Sequence, residues 1–386
     1  MSLDWQTHLD EVCHVRRWLH QHPELTWQER ETARYVRQQL TEWQIDWRPC
    51  AEHGCVATLA TETTGEHIAF RSDMDALPIR ELSTHVPASE TPGVMHACGH
   101  DGHMATLLGT AKWLKAHESS LSGPVTLLFQ PAEEGGHGAR RMIEDGALEG
   151  IDCIYGWHNW PALPFGTALC PDGPVMSGNG TFHIRLLGKG GHASQPDNTC
   201  DPVLAAAALT LNLQQIVSRR LPPQAAAVVS VTSIDAKNQV TVTPDSVYLE
   251  GSIRLSEPQW REPINAAIRS IAEATAAAYG VAAEVELRPR YGATINHAGP
   301  AGRYRAALLA ELGEGSDRAD LRLPLMASED FSYYLNEIPG AFAIVGMAEE
   351  GDFSEPCHSP EYRFNDRVIG QVMRVFCRLA GAPVND

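Results

Sequence analysis

Lysine is almost missing from this 386-residue chain: only positions 112, 115, 189 and 237 carry it among 30 basic residues. Against those 30 stand 48 acidic residues, for a net charge of −18. A field of that sign repels phosphate backbones and argues against nucleic acid as a partner. No run of about 18 apolar residues occurs, so no segment is expected to span a membrane. The first residues, MSLDWQTHLDEV, lack the basic stretch and apolar run of a secretory signal. The cysteines number nine and follow no repeating spacing, which fits reduced thiols better than a disulfide framework. The expected compartment is the cytoplasm. Hydrophobic residues at 43% and charged residues at 20% are ordinary for a globular protein. The length favours two domains over one.

Apolar spacing predicts helices over 5–20 and 28–43, then short buried strands at 55–59, 68–70, 125–129 and 151–155. Helices over 103–114 and 139–145 fall between them, an α/β layer pattern. From residue 178 the texture changes. Strands at 181–187, 226–234, 247–255 and 283–287 and helices over 201–217 and 258–279 read as β-α-β-β-α-β, a split, ferredoxin-like α+β unit. After Tyr291 the first pattern resumes, with a helix over 301–312, a strand at 341–345 and a closing helix from Arg367. The expected organisation is a catalytic domain in two parts, 1–178 and 292–386, around an inserted domain at 179–291. The catalytic part is expected to be α/β, a mixed sheet flanked by helices.

The densest chemical signal is Met95-His96-Ala97-Cys98-Gly99-His100-Asp101-Gly102-His103. Three histidines, a cysteine and an aspartate in nine residues suit a borderline metal ion, and Cys98 and His100 flank a glycine that permits a tight turn. The competing account is a polar loop opening a helix, with Asp101 as its cap. Glu133 and Glu134 follow a predicted strand directly, where open α/β sheets place ligands. Two adjacent carboxylates repel unless a cation divides their roles, one ligating and one taking a proton from water; an exposed acidic turn is the alternative. His158 and His358 are weak signals singly, histidines beside tryptophans or prolines, and gain weight because each follows a predicted strand of the same sheet. Arg71-Ser72-Asp73-Met74-Asp75 also ends a strand, and buried carboxylates there suit hydrogen bonds to the far nitrogen of a ligand histidine, or else a structural turn. Gly188-Lys189-Gly190-Gly191 lacks the spacing and following hydroxyl of a phosphate loop. Cys98 as a nucleophile with His100 is disfavoured, because catalytic Cys–His pairs usually come from distant parts of a chain.

Seven segments run in one order along the chain: RRWLHQHPEL (16–25), SDMDALPI (72–79), MHACGHDGHMA (95–105), QPAEEG (130–135), GKGGHAS (188–194), ASEDFS (327–332) and CHSPEYRFND (357–366). As a set they resemble the metallopeptidase family of aminoacylases, carboxypeptidases and dipeptidases. Within it they look like the amidohydrolase branch of hippurate hydrolases, auxin-conjugate hydrolases and N-acetyl amino acid deacetylases. The resemblance implies Cys98, His100, Glu134, His158 and His358 as ligands of two divalent ions (zinc, manganese or cobalt), Glu133 as general base and Asp75 as orienter. It implies that His192 in an inserted lid and dimerisation domain stabilises the oxyanion in the partner subunit of a homodimer. The wider family has a histidine at the position of Asp73 and an aspartate at that of Cys98. Trp157-His158 replaces a more usual Leu-His, and Gln239–Pro244 departs from the relatives' lid strand. The implied reaction is hydrolysis of a small N-acyl amino acid, with Arg254 as the candidate cation for its carboxylate against the alternative of a surface salt bridge. A dipeptidase or carboxypeptidase of the same family, a metal-independent cysteine hydrolase and a metal-binding protein without turnover are the competing functions.

Overall fold

A computed structural model describes residues 3–83, 87–318 and 321–384. The chain divides into two compact units, one of Met1–Val175, Ile295–Arg322 and Asp330–Asp386, the other of Met176–Thr294 and Leu323–Glu329.

In the first unit, helices α1 (Trp5–Gln21) and α2 (Arg30–Glu42) precede strands β1 (Asp46–Cys50), β2 (Gly54–Leu59) and β3 (Ile68–Asp73). Helix α3 (His100–Ala116), β4 (Val125–Gln130), α4 (Gly138–Glu144), β5 (Cys153–Pro164), β6 (Ala168–Leu169) and β7 (Gly173–Met176) follow. Asp4 caps α1 by accepting from the Thr7 N–H at 2.9 Å, and Trp5, Val12 and Leu19 turn inward at helical spacing. Seven strands, five of them expected in the sequence, form a mixed sheet in the order β1-β2-β4-β3-β5-β15-β6, where β15 is Gly340–Ala348. The β3–β4, β3–β5 and β5–β15 pairs are parallel. Every residue of β3 and β4 is buried, as in strands covered on both faces. Helix α3 packs on α1, β3 and the closing helix α9 (Arg367–Ala380).

The second unit holds β8 (Gly178–Leu187), β9 (Gly191–His192), α5 (Pro202–Leu213), β10 (Ala227–Asp235), β11 (Val242–Thr243), β12 (Ser246–Leu255), α6 (Arg261–Ala278) and β13 (Ala282–Pro289). Its main sheet runs β10-β12-β8-β13, antiparallel throughout. Burial alternates along β12, and Phe182, Ile184, Leu209, Ile253 and Ile268 share a core separate from that of the first unit. The segment 323–329, which the sequence pattern leaves with the first domain, belongs here. The Ser177 N–H donates to the carbonyls of Leu325 (2.8 Å) and Ala327 (2.9 Å), and Ser328 Oγ accepts from Asn179 Nδ2 and Arg254 Nη1. A short excursion held by backbone bonds leaves no apolar period to detect.

The chain returns through β14 (Thr294–Asn296), α7 (Ala298–Leu312), α8 (Ser332–Glu337), β15 (Gly340–Ala348) and α9 (Arg367–Ala380). Two expectations change. His158 lies inside β5 and not after it, opposite Ile344 of β15, because the strand runs on past the apolar residues. Helix α3 begins at His100, and Asp101 caps nothing; its buried carboxylate accepts from His20 Nδ1 at 2.9 Å and faces Arg16 Nη1 at 3.5 Å. Arg16, itself buried, also meets Asp366 at 2.8 Å, so one charge cluster ties α1, the first turn of α3 and the start of α9. Among the described residues no helix is long and apolar enough to cross a membrane.

His20 shares this cluster. Burial opposes its charge, but the hydrogen bonds to Asp101 and Glu81 outweigh burial and lift it from 6.5 to about 9. A raised folded-state pKa means that its stabilisation is complete below pH 6.5 and is lost as pH rises through about 9. We expect thermal stability to fall across that window and His20→Gln to flatten the fall; equal slopes in the two proteins would refute the assignment.

Candidate metal centre

The turn into α3 is built around Gly99, whose φ of +96° lies in the left-handed region. A Cβ there would collide with Asn159 Oδ1 and the Tyr362 hydroxyl, so only glycine fits. The turn leaves Cys98 and His100 on neighbouring points of a buried wall. His100 Nδ1 donates to the Asp75 carbonyl at 2.8 Å, leaving Nε2 without a hydrogen-bond partner among the described residues. His158 Nδ1 donates to the Asn159 carbonyl at 2.6 Å, and its Nε2 faces Cys98 Sγ at 3.3 Å. Both rings are thus oriented with Nε2 toward the cluster, the orientation that backbone carbonyls impose on ligating histidines, and His158 presents Nε2 as its lone-pair nitrogen.

Candidate ligand atoms of Cys98, His100 and His158 lie within 4.8 Å of one another, and so do those of Cys98, Glu134 and His358. An ion with bonds of about 2.0–2.3 Å gathers its ligands within such a reach. Cys98 belongs to both groups. A further group of this kind joins His100, Glu133 and Glu134. His358 Nε2 stands 3.1 Å from Glu134 Oε1, with its side chain 52% exposed, at the open side of a set in which Cys98, His100 and His158 are buried and Glu134 is partly so. Sulfur, imidazole and carboxylate together are a donor set for a borderline divalent ion.

Charge favours a cation at this point. Burial pushes His158 well below its usual range, helped by His103, so its ring is neutral. Burial opposes a charge on His100 too, but Asp73, Asp75 and Glu134 outweigh it and lift that ring to about 10. Buried acids that hold a proton on a histidine this firmly stabilise any positive charge placed among them. The Cys98 thiol is pushed well above its usual range by the hydrogen bond with Cys357, then by burial and Glu134, so a ligating sulfur must shed a firmly held proton.

Glu133 and Glu134 diverge from a turn held from several sides. Their N–H groups donate to Asp75 Oδ1 and Oδ2, each at 2.9 Å, and Thr26 Oγ1 donates to the same carboxylate at 2.7 Å. Glu133 is buried, and its Oε1 accepts from the Asp330 N–H at 3.3 Å. Asp330 in turn takes Arg71 Nη2, Gln130 Nε2 and the Ala139 N–H, all at 2.9 Å. Arg71 also donates to Asp73 at 2.7 Å, and His103 Nδ1 stands 2.6 Å from Asp73. Sequence reasoning assigned no role to Arg71, Asp330 or Asn159, and it counted His103 as a candidate ligand, whereas the ring lies between Asp73 and Asn159 Oδ1. One signal was available for Arg71: a charge inside the apolar strand Ile68-Ala69-Phe70 must find partners.

Two sequence candidates lie in the second unit. His192, exposed on β9, accepts at Nδ1 from the Ser194 hydroxyl (2.8 Å) and N–H (3.2 Å), so in its neutral ring Nε2 carries the proton. Its strand pairs with β11, within the segment 239–244, with Val242 opposite His192. Arg254 is half-buried beside Arg290, and burial, then that neighbour, lowers its pKa; it donates to Ser328 Oγ at 3.1 Å.

The family model for peptidase family M20/M25/M40 matches residues 69–382. An N-acetyl-L-cysteine deacetylase of Bacillus subtilis (strain 168) is 40% identical over 361 residues, 92% of this chain and 84% of the relative. A hippurate hydrolase of Campylobacter jejuni is 34% identical over 98% of this chain and 97% of its own length. The crystal structure of the Bacillus subtilis YXEP protein, described as a dinuclear metal-binding peptidase from the M20 family, superposes with a TM-score of 0.85 at 33% identity, covering 97% of this chain and 98% of that one.

Cys98→Ser tests the shared donor. We expect a folded protein whose affinity for zinc, measured by competition with a chromophoric chelator, falls by about 100-fold or more, since even indirect partners of ligands cost about 10–100-fold. Unchanged affinity would remove Cys98 from the donor set.

Proposed function

Because the chain belongs to peptidase family M20/M25/M40, we propose that it hydrolyses the amide bond of small N-acyl amino acids, N-acetyl amino acids foremost, to a carboxylate and a free amino acid. The observation that carries this reading is the pair of overlapping donor groups sharing Cys98, beside a buried Glu133. They support two divalent ions per subunit, held by Cys98, His100, Glu134, His158 and His358; zinc, manganese and cobalt all suit the donors. Such ions supply Lewis acidity, polarising a carbonyl and lowering the pKa of water to about 7.

Glu133 takes the proton of the attacking water and passes it to the leaving nitrogen, which must be protonated to depart. Its burial and the N–H of Asp330 keep the carboxylate aimed. Asp75 holds His100 and the Glu133–Glu134 turn to one another. In the partner subunit's site, His192 donates its Nε2 proton to the oxyanion, a role its hydrogen bonds with Ser194 support. Arg254, which has no ion-pair partner among the described residues, pairs with the substrate carboxylate. The second unit serves as lid and dimer contact. Leu204 and Leu211, 57% and 74% exposed on α5, and the open edge of β10 support a homodimer. Nine unpaired cysteines support a reducing, cytoplasmic setting.

Glu133→Ala should retain its ions and lose about 10²–10⁴-fold in kcat; a working Glu133→Ala enzyme would end that role. Chelation should abolish turnover, and readdition of zinc, manganese or cobalt should restore it on N-acetyl amino acids; faster cleavage of short peptides would favour a peptidase. Mixed Glu133→Ala and His192→Ala proteins, each inactive alone, should regain activity as subunits exchange. Exchange without regain would place His192 action within one subunit.

A further inference from the structure

One buried carboxyl group beside the catalytic turn has no part in the chemistry above. Glu29, immediately before α2, is fully buried. Its Oε1 accepts from the Ala132 N–H at 2.9 Å, while Oε2 has no hydrogen-bond partner among the described residues. Ala132 is the residue from which the turn departs, and its φ is +58°, a region that side-chain-bearing residues avoid. Such a conformation persists only where its surroundings impose it.

The surroundings come from the short segment 26–29. Trp27, also left-handed at φ +61°, donates from Nε1 to the Gly136 carbonyl at 3.2 Å. Thr26 reaches Asp75, which receives the N–H groups of Glu133 and Glu134. A Cβ on Gly136 would meet Thr26, Trp27 and Ala132 together, so this segment and the turn are in close contact. On the far side, the Ala132 carbonyl accepts the Gly138 N–H at 3.0 Å. The Ala132 N–H is left to Glu29.

We propose that Glu29 is a positioning residue for the catalytic turn: its Oε1 pins the left-handed Ala132 from which Glu133 and Glu134 diverge. The proposal rests on Glu133 as the proton-transfer group. One acceptor oxygen is needed and a charge is not. Burial, then the nearby Asp75 charge, pushes the Glu29 carboxyl up to about 8, so it is uncharged at neutral pH. Glutamine keeps the oxygen at the same reach. Aspartate falls one methylene short, and alanine offers nothing.

The experiment compares Glu29→Gln, Glu29→Asp and Glu29→Ala in the metal-loaded enzyme, with thermal unfolding as a check on fold. Glu29→Ala should lose up to about a hundredfold in kcat, the cost of a small misplacement of a catalytic group, with KM unchanged and metal content retained. Glu29→Gln should stay near wild type. Hydrogen exchange of the peptide spanning 130–136 should speed up by about tenfold or more in the alanine variant and not in the glutamine variant. Exchange reports on the turn whether or not Glu133 transfers the proton, so failure here is read apart from turnover by Glu133→Ala. Wild-type exchange and kcat in a folded Glu29→Ala protein would overturn the proposal, as would a Glu29→Gln enzyme as impaired as the alanine variant. If Glu29→Ala does not fold, the other pair decides: a slow Glu29→Asp beside a fast Glu29→Gln supports the role, and equal rates overturn it.

Discussion

The carboxylate of Asp75 joins the end of β3 to the turn after β4, and the site's geometry follows from how it is saturated. It accepts the N–H groups of Glu133 and Glu134 and the Thr26 hydroxyl, while its own carbonyl accepts from His100. The side chain is buried, so an unpaired charge there would cost about 3–5 kcal/mol. That penalty makes the arrangement stiff: moving either glutamate or His100 breaks a bond to a group that water does not reach. Burial opposes the Asp75 charge, but these donors, the His100 ring foremost, hold the carboxyl below its ordinary range, which keeps it ionised.

Around this point the molecule assembles more buried charge than a fold needs. Arg71 lies between Asp73 and Asp330, and Arg16 between Asp101 and Asp366. Each arginine links elements far apart in sequence and leaves no charge alone. Replacing such pairs by apolar residues is often neutral or better for stability, so their use here is geometric. Arg71 fixes Asp330, whose N–H reaches Glu133, and Asp101 fixes the first turn of α3, which carries His100. Orientation of a few groups is where the stabilisation is spent.

The two units divide the work by physical type. The first provides rigid, doubly covered strands whose carboxyl ends bear acids, with imidazoles supplied by α3 and from within β5. The second is a four-stranded antiparallel sandwich with its own core, and it exposes His192 on a two-residue strand. An exposed donor on a short strand suits the proposed contact of His192 with substrate. Acids sharing a buried site cannot move without unpairing.

Much was legible in the sequence because it rests on local rules. Apolar runs marked β2, β3, β4 and β15, alternation marked β8 and β12, and helical spacing marked α1 and α6. Clustered donor types at 95–103 and 133–134 marked the candidate site, since few segments of a globular chain gather such groups without use. What local pattern could not decide was convergence and support. His158 sits within a strand because β15 pairs with the chain beyond its apolar residues. Gly99 is a glycine because Asn159 and Tyr362 occupy the space of a side chain. Arg71 finds Asp330, and Glu29 finds Ala132, across 259 and 103 positions. Sequence determined which side chains were available, through composition and period. Tertiary structure decided which of them meet, because burial makes a polar group depend on partners that only folding brings within reach.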